Sequence, residues 1–344
     1  MKLFIVRSIY FILIFIISIF LLTFIGNKLL DKNQYYKLSD STKSVILGHS
    51  HPECAFNDSL IKNITNLSNS GESYYYTYLK IKKIILNNKQ IKNIFIEFTN
   101  NEIEQKIDSN TWSNRILQVR LPTYFPLMDL DEIEFLWSKN KKGCLNYFPK
   151  SILKNIGRNF TYLIFFKKGF KNEDRFGGYL YLEGSKTDSL INLPINNLES
   201  SANLKISETN IAYLSKIINL CKLNGVKAFL IRSPLHSRYN FNNEIEFKKI
   251  KDSKFANIEF LDFKNFPLKN SEFRDLEHLN YKGARLFSIF FNNLLNSGLL
   301  VKTNKQKFIN NEIEKLISNK HNDSIVNKFV ANNFIFLNTT FFLR

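Results

Sequence analysis

The sequence predicts an α/β fold in which a parallel sheet is wrapped by helices, with one transmembrane helix ahead of it. Three observations carry that prediction. From residue 44 to 107, and again from 204 to 298, apolar runs of strand length alternate with amphipathic runs of helical length, the pattern that builds parallel sheets. The side chains best suited to chemistry fall directly after apolar runs, where an open α/β sheet presents its ligand-binding loops. Residues 8–26 carry no charge, and at helical rise they span roughly 28 Å, close to the apolar thickness of a bilayer.

The N-terminal run is long for a signal-peptide core, and no small-x-small cleavage site follows it. It reads as an uncleaved signal anchor within residues 1–27. Lys2 and Arg7 precede it and favour a cytoplasmic N-terminus, while Lys28 and Lys32 on the far side pull the other way. The main domain is then expected on the periplasmic or outer side of the cytoplasmic membrane. Residues 28–43 are polar and charged and read as a tether.

Val45, Ile46 and Leu47 are a buried-strand signal that Gly48 ends, and His49, Ser50 and His51 follow in a loop at its rim. Ile64 to Ser68 is a second short strand, and Gly71 is a natural tight turn after it. Tyr74 to Leu86 has helical spacing. Ile91 to Phe98 is a third strand, ended by Thr99, Asn100 and Asn101. Residues 108–190 break the rhythm. They hold both tryptophans and read as an insertion that either walls a substrate groove or packs as a peripheral subdomain. The alternation returns with a helix at Ile206 to Asn224, closed by Gly225, and strands at Val226 to Ile231 and Ile258 to Asp262. Asp275 to His278 begins a loop-to-helix entry, and Gly283 to Leu295 is a helix. The main domain therefore runs over 44–300, and 301–344 is a C-terminal extension without an assigned role.

A hydrophobic content of 44% supports a sizeable core and excludes a disordered chain. The formal charge is +18, yet lysine outnumbers arginine almost four to one and the lysines are scattered rather than striped. That is the stamp of AT-rich codons. No nucleic-acid motif accompanies the charge, so no nucleic-acid partner is expected. Cys54, Cys144 and Cys221 are odd in number and widely spaced, which argues against a disulfide framework.

Ser50 is the leading candidate nucleophile. Its best partners lie far downstream: Asp275 and His278 are three apart, so one helical turn would face them to the same side. Such a pair presents an oriented imidazole to a serine hydroxyl. Cys54 ranks below Ser50 because no base stands beside it in a recognisable pattern. His49 and His51 alternate onto one face of extended chain, and that spacing also suits a metal, with Glu53 and His236 as further ligands. The chain has five histidines and no further ligand cluster, so no metal site is assigned. His49, His51 and His236 are instead taken to shape substrate access.

These residues resemble, in order, the blocks of the SGNH/GDSL hydrolase superfamily, and within it the membrane-anchored branch related to polysaccharide O-acetyltransferases. The resemblance covers about residues 44–107 and 204–298. Gly48-His49-Ser50 stands where the family has G-D-S, with histidine replacing the aspartate. Gly71 matches the glycine of the second block. Phe98-Thr99-Asn100-Asn101 stands where the family has G-x-N-D, and Asn100 alone matches its defining pair of asparagine and aspartate. Asp275-Leu276-Glu277-His278 matches D-x-x-H in full.

The resemblance implies a flavodoxin-like three-layer α/β/α sandwich and a Ser50-His278-Asp275 triad. It implies an oxyanion hole built from the amides of Ser50 and Gly71 and the side chain of Asn100. No cofactor is implied. The expected chemistry is hydrolysis or acyl transfer on an acylated cell-surface polysaccharide or a small ester, with a membrane acyltransferase as partner where a donor is required. The altered first and third blocks keep open a catalytically inactive glycan-binding or scaffold protein of the envelope. Metal-dependent hydrolysis is the remaining alternative.

Overall fold

The strands are short and rich in Ile, Val, Leu and Phe, with buried residues on both faces, as parallel strands covered by helices must be. The computed structural model describes residues 1–32, 36–165, 176–191, 205–241 and 243–318. Strands β1 (Ser44–Leu47), β2 (Ile64–Asn66), β3 (Asn93–Glu97), β4 (Lys227–Arg232) and β5 (Phe260–Asp262) form one parallel sheet in the order β2-β1-β3-β4-β5. The pleat sorts their side chains into two cores. Val45, Leu47, Ile94, Ile96 and Leu230 face one; Ile46, Phe95, Phe229, Ile231 and Leu261 face the other.

The helices are α1 (Lys2–Lys32), α2 (Ser50–Ala55), α3 (Tyr74–Asn87), α4 (Lys106–Thr111), α5 (Asn114–Tyr124), α6 (Leu130–Lys139), α7 (Lys141–Phe165), α8 (Thr187–Ile191), α9 (Glu208–Leu223), α10 (Glu244–Lys254), α11 (Tyr281–Asn296) and a last one, α12, at 305–318. Helices α3 and α9 close the first core and α11 closes the second, giving the three layers the sequence predicts. Gly48 lets β1 end tightly against β3, since a Cβ there would stand 2.5 Å from the Glu97 Cβ. The loop expected at Ser50 is instead the first turn of α2, capped by His49, whose Nδ1 accepts from the His51 N–H at 3.3 Å.

One segment differs from the sequence reading, and two that it left open are placed. Residues 28–43 are not a tether: Leu30, Tyr36 and Leu38 are buried in the first core, and Asn88 ties the segment down by accepting from the Leu38 N–H and donating to the Tyr36 carbonyl. The insertion at 108–190 is not peripheral, because Leu117, Leu121, Tyr124 and Leu136 belong to the same core. The C-terminal extension docks as well. Ile309 of α12 is buried in the second core, and the Gln306 amide pairs with both backbone groups of Asp262 on the edge strand β5. The aromatic tail at 319–344 lies outside the described residues.

One helix, over Lys2–Leu30, is long and apolar enough to cross a membrane. Gly26 and Leu30 near its C-terminal end are buried, and Asn27 Oδ1 accepts from Asn159 Nδ2 of α7 at 2.9 Å.

Candidate active site

Ser50 follows β1, beside the place where the strand order reverses between β1 and β3, the position at which sheets of this order bind ligands. The Asp275–His278 turn lies beyond β5, at the same carboxyl edge. It is not the helical turn that the spacing suggests, because α11 begins at Tyr281. The two side chains meet through a different local device. Asp275 Oδ1 accepts from the backbone N–H groups of Glu277 and His278, each at 2.9 Å, and closes a turn on its own side chain. The same carboxylate accepts from His278 Nδ1 at 2.9 and 3.1 Å. With its hydrogen on Nδ1, the imidazole presents the Nε2 lone pair, and Ser50 Oγ lies 2.7 Å from it.

The electrostatics fit a base. Burial pulls the His278 pKa down, but the hydrogen bond and charge of Asp275 outweigh it and hold the imidazole above its usual 6.5. Burial pushes Asp275 up, and its bonds from His278, Glu277 and the His278 N–H bring it below the usual aspartate value. Cys54 offers no rival nucleophile: burial raises its thiol to about 12.

A serine after β1, a glycine turn after β2, an asparagine after β3 and an Asp–His pair after β5 therefore converge on one edge of a parallel sheet in flavodoxin order. The fold is a parallel α/β sandwich of flavodoxin order, and these residues follow one another along it in the order of the SGNH/GDSL blocks. Among solved structures the chain is similar to a candidate acylhydrolase from Bacteroides fragilis, at 11% identity and a TM-score of 0.32, over 78% of this chain and 87% of that one. It is also similar to a GDSL-like lipase from Bacteroides thetaiotaomicron, at 10% identity and a TM-score of 0.34, over 79% of this chain and 98% of that one. A protein-family model without a functional description matches residues 183–300, which include Asp275 and His278. No curated protein matches the sequence.

The expected oxyanion donors divide. Gly71 sits in an exposed left-handed turn at φ 69°, and its N–H has no partner among the described residues. Asn100 departs from expectation. Its Nδ2 donates to Asn243 Oδ1 at 2.8 Å and to Glu244 Oε2 at 2.9 Å, and its Oδ1 accepts from Arg232 at 3.0 Å. Both amide hydrogens are engaged in the interior, so the side chain has none left for an oxyanion.

The three histidines assigned to substrate access are all buried, which removes them from that role. His49 donates from Nε2 to Thr99 Oγ1 at 3.0 Å, and burial keeps it neutral well below its usual pKa. His236 bonds Asn270 Oδ1 at 3.1 Å and accepts from the Arg238 N–H. His51 packs edge-on against His278, with ring centroids 5.4 Å apart, and its Nε2 lies 3.5 Å from Glu277 Oε2.

Two groups among the described residues stand close enough to share a cation: His49, His51 and Glu97, and His51, Glu277 and His278. Neither contains Glu53 or His236, so the metal set considered from the sequence is not brought together. In the first group both oxygens of Glu97 are already held by the N–H and hydroxyl of Ser233.

Several contributors escape a reading of local pattern. Glu277 pairs with His51. Arg232 joins Asn100, Glu244 and Asp262 beneath the site. The insertion grips the Gly71 loop: Tyr124 donates to Glu72 at 2.6 Å, and Lys80 bonds both Glu72 and the Phe176 carbonyl. Gly177 packs so closely that a Cβ would stand 1.9 Å from the Ser68 carbonyl oxygen.

Proposed function

We propose that this chain is an exported, membrane-anchored, serine-dependent acyl esterase or O-acyltransferase acting on acyl esters of a cell-surface glycan. The observation that carries the reading is the 2.7 Å approach of His278 Nε2 to Ser50 Oγ, with Asp275 behind the imidazole. Ser50 Oγ bonds to the ester carbonyl carbon while its proton passes to His278 Nε2. Asp275 stays ionised and stabilises the imidazolium that forms. The oxyanion faces the N–H groups of Ser50 and Gly71. Collapse breaks the bond to the alcohol oxygen, which takes the proton from His278. Water or a sugar hydroxyl then attacks the acyl-serine, giving hydrolysis or transfer by the same proton route.

The apolar helix α1 supports action on envelope polymers, and a transferase would receive its acyl group from a membrane acyltransferase partner. One observation favours a second reading. Engagement of the Asn100 amide removes a donor from the hole, which suits a fold kept for glycan binding without turnover.

Fluorophosphonate labelling of the full-length protein in detergent, beside Ser50→Ala, separates the two. The wild type is expected to take the label and the variant to take none. A folded wild type that takes no label and cleaves neither aryl acetates nor acylated glycans sinks the enzyme reading in favour of binding.

A further inference from the structure

We infer that Arg120, carried by the insertion, is a positioning residue that aims the Gly71 N–H at the oxyanion beside Ser50. The inference rests on the ester chemistry proposed above and assigns the insertion a part in it.

The bond between Ser70 and Gly71 is trans and planar, so the Ser70 carbonyl and the Gly71 N–H point in opposite directions. A group that grips the carbonyl thereby aims the N–H. The Arg120 guanidinium donates to the Ser70 carbonyl oxygen, and Arg120 is itself only 7% exposed. The Gly71 N–H must then point away from the insertion. Helix α2 also holds this loop: Ser70 Oγ donates to Glu53, three residues after Ser50 on the same helix, and the Asn69 N–H donates to the Gly48 carbonyl at 2.9 Å. Ser70 is therefore held by its side chain from the nucleophile's helix and by its carbonyl from the insertion. The Gly71 N–H is left without a partner among the described residues.

Charge adds to orientation. A carbonyl that accepts from a cation is polarised, and its amide N–H becomes a stronger donor. With Asn100 engaged elsewhere, the hole relies on two backbone amides, so the direction of one of them matters more. The contact is also separable from the structural docking of the insertion. Tyr124 and Lys80 hold Glu72, and Lys80 holds the Phe176 carbonyl, without involving Arg120.

The test uses the full-length protein in detergent with an aryl acetate and its thionoester counterpart. An oxyanion accepts hydrogen bonds strongly and a thiolate-like anion weakly, so an aligned donor widens the ratio of oxo to thiono rates. Arg120→Leu is expected to lower kcat on the oxoester about tenfold or more, with KM within about twofold. It should also narrow the oxo/thiono ratio and leave the acid limb of the pH profile in place. Arg120→Lys should recover part of both losses. Arg120→Gln, too short to reach the carbonyl, takes the place of the leucine variant should that one fail to fold. A folded Leu or Gln variant that keeps the wild-type ratio, whether or not its rate falls, overturns the positioning role. A wild type without Ser50-dependent labelling overturns the ester chemistry itself, and the inference with it.

Discussion

His278 has to be neutral to take a proton from Ser50 and charged a moment later. Burial alone would favour the first state too strongly; Asp275 restores the balance and sets the pKa above 6.5. A base with a raised pKa loses function as pH falls through that value. The rate kcat/KM is therefore expected to fall on the acid side with a midpoint above pH 6.5. Asp275→Asn removes the nearest opposing charge and leaves burial opposed only by Glu277 and Glu53, so the limb should move to lower pH while the rate drops by orders of magnitude. A pH–rate profile of both proteins decides it; an unmoved limb would assign the titration to another group. Ser50, Asp275 and His278 were legible in the sequence because each sits at a strand end or inside a four-residue turn, where local pattern determines position. The fate of Asn100 was not legible. Its partners Arg232, Asn243 and Glu244 lie more than 130 residues away, and no spacing rule links them.

At the scale of elements, β3 shows what a strand pattern hides. Its run of Ile and Phe marks a buried strand, and Glu97 at its end looks like the polar residue that stops it. The carboxyl is instead fully buried. Desolvation raises its pKa to about 8 against the two bonds from Ser233. The sign follows from linkage. Between about pH 4.5 and 8 the folded chain holds a proton that the unfolded chain releases, so this group's contribution to stability is full below 4.5 and declines as pH rises towards 8. Glu97→Gln keeps an oxygen to accept from the Ser233 N–H, turns the Ser233 hydroxyl from donor to acceptor, and cannot ionise. Its stability relative to wild type is expected to rise by up to about 1.4 kcal/mol per pH unit across that window, then flatten. Urea unfolding of both proteins from pH 5 to 9 measures this, and parallel curves would contradict it. The insertion was the element least legible. Its helices could be seen as a break in rhythm, but the contacts from Arg120, Tyr124 and Phe176 to the Gly71 loop are long-range and leave no periodic trace.

At the scale of the whole molecule, the question is where the anchor stops and the domain begins. Composition alone puts that point near residue 44, because 28–43 is polar on average. Packing puts it earlier. Leu30, Tyr36 and Leu38 are few among polar neighbours, too few to shift a composition average, yet each is buried in the core shared by α3, the insertion and the sheet. Fully burying such a side chain contributes roughly 1.5–3 kcal/mol, and cutting the segment away also removes two of the buried Asn88 amide's bonds. Two truncations separate the boundaries. A chain starting at Lys28 keeps all three side chains; one starting at Asp40 loses them. Both lack the Asn27–Asn159 bond, so that contact cancels in the comparison. In the same detergent the shorter chain is expected to melt on the order of 10 °C below the longer one. Equal melting would mean that the segment contributes nothing to the stability of the domain. The predicted difference would mean that the domain begins ahead of residue 40, with Leu30, Tyr36 and Leu38 as part of its core.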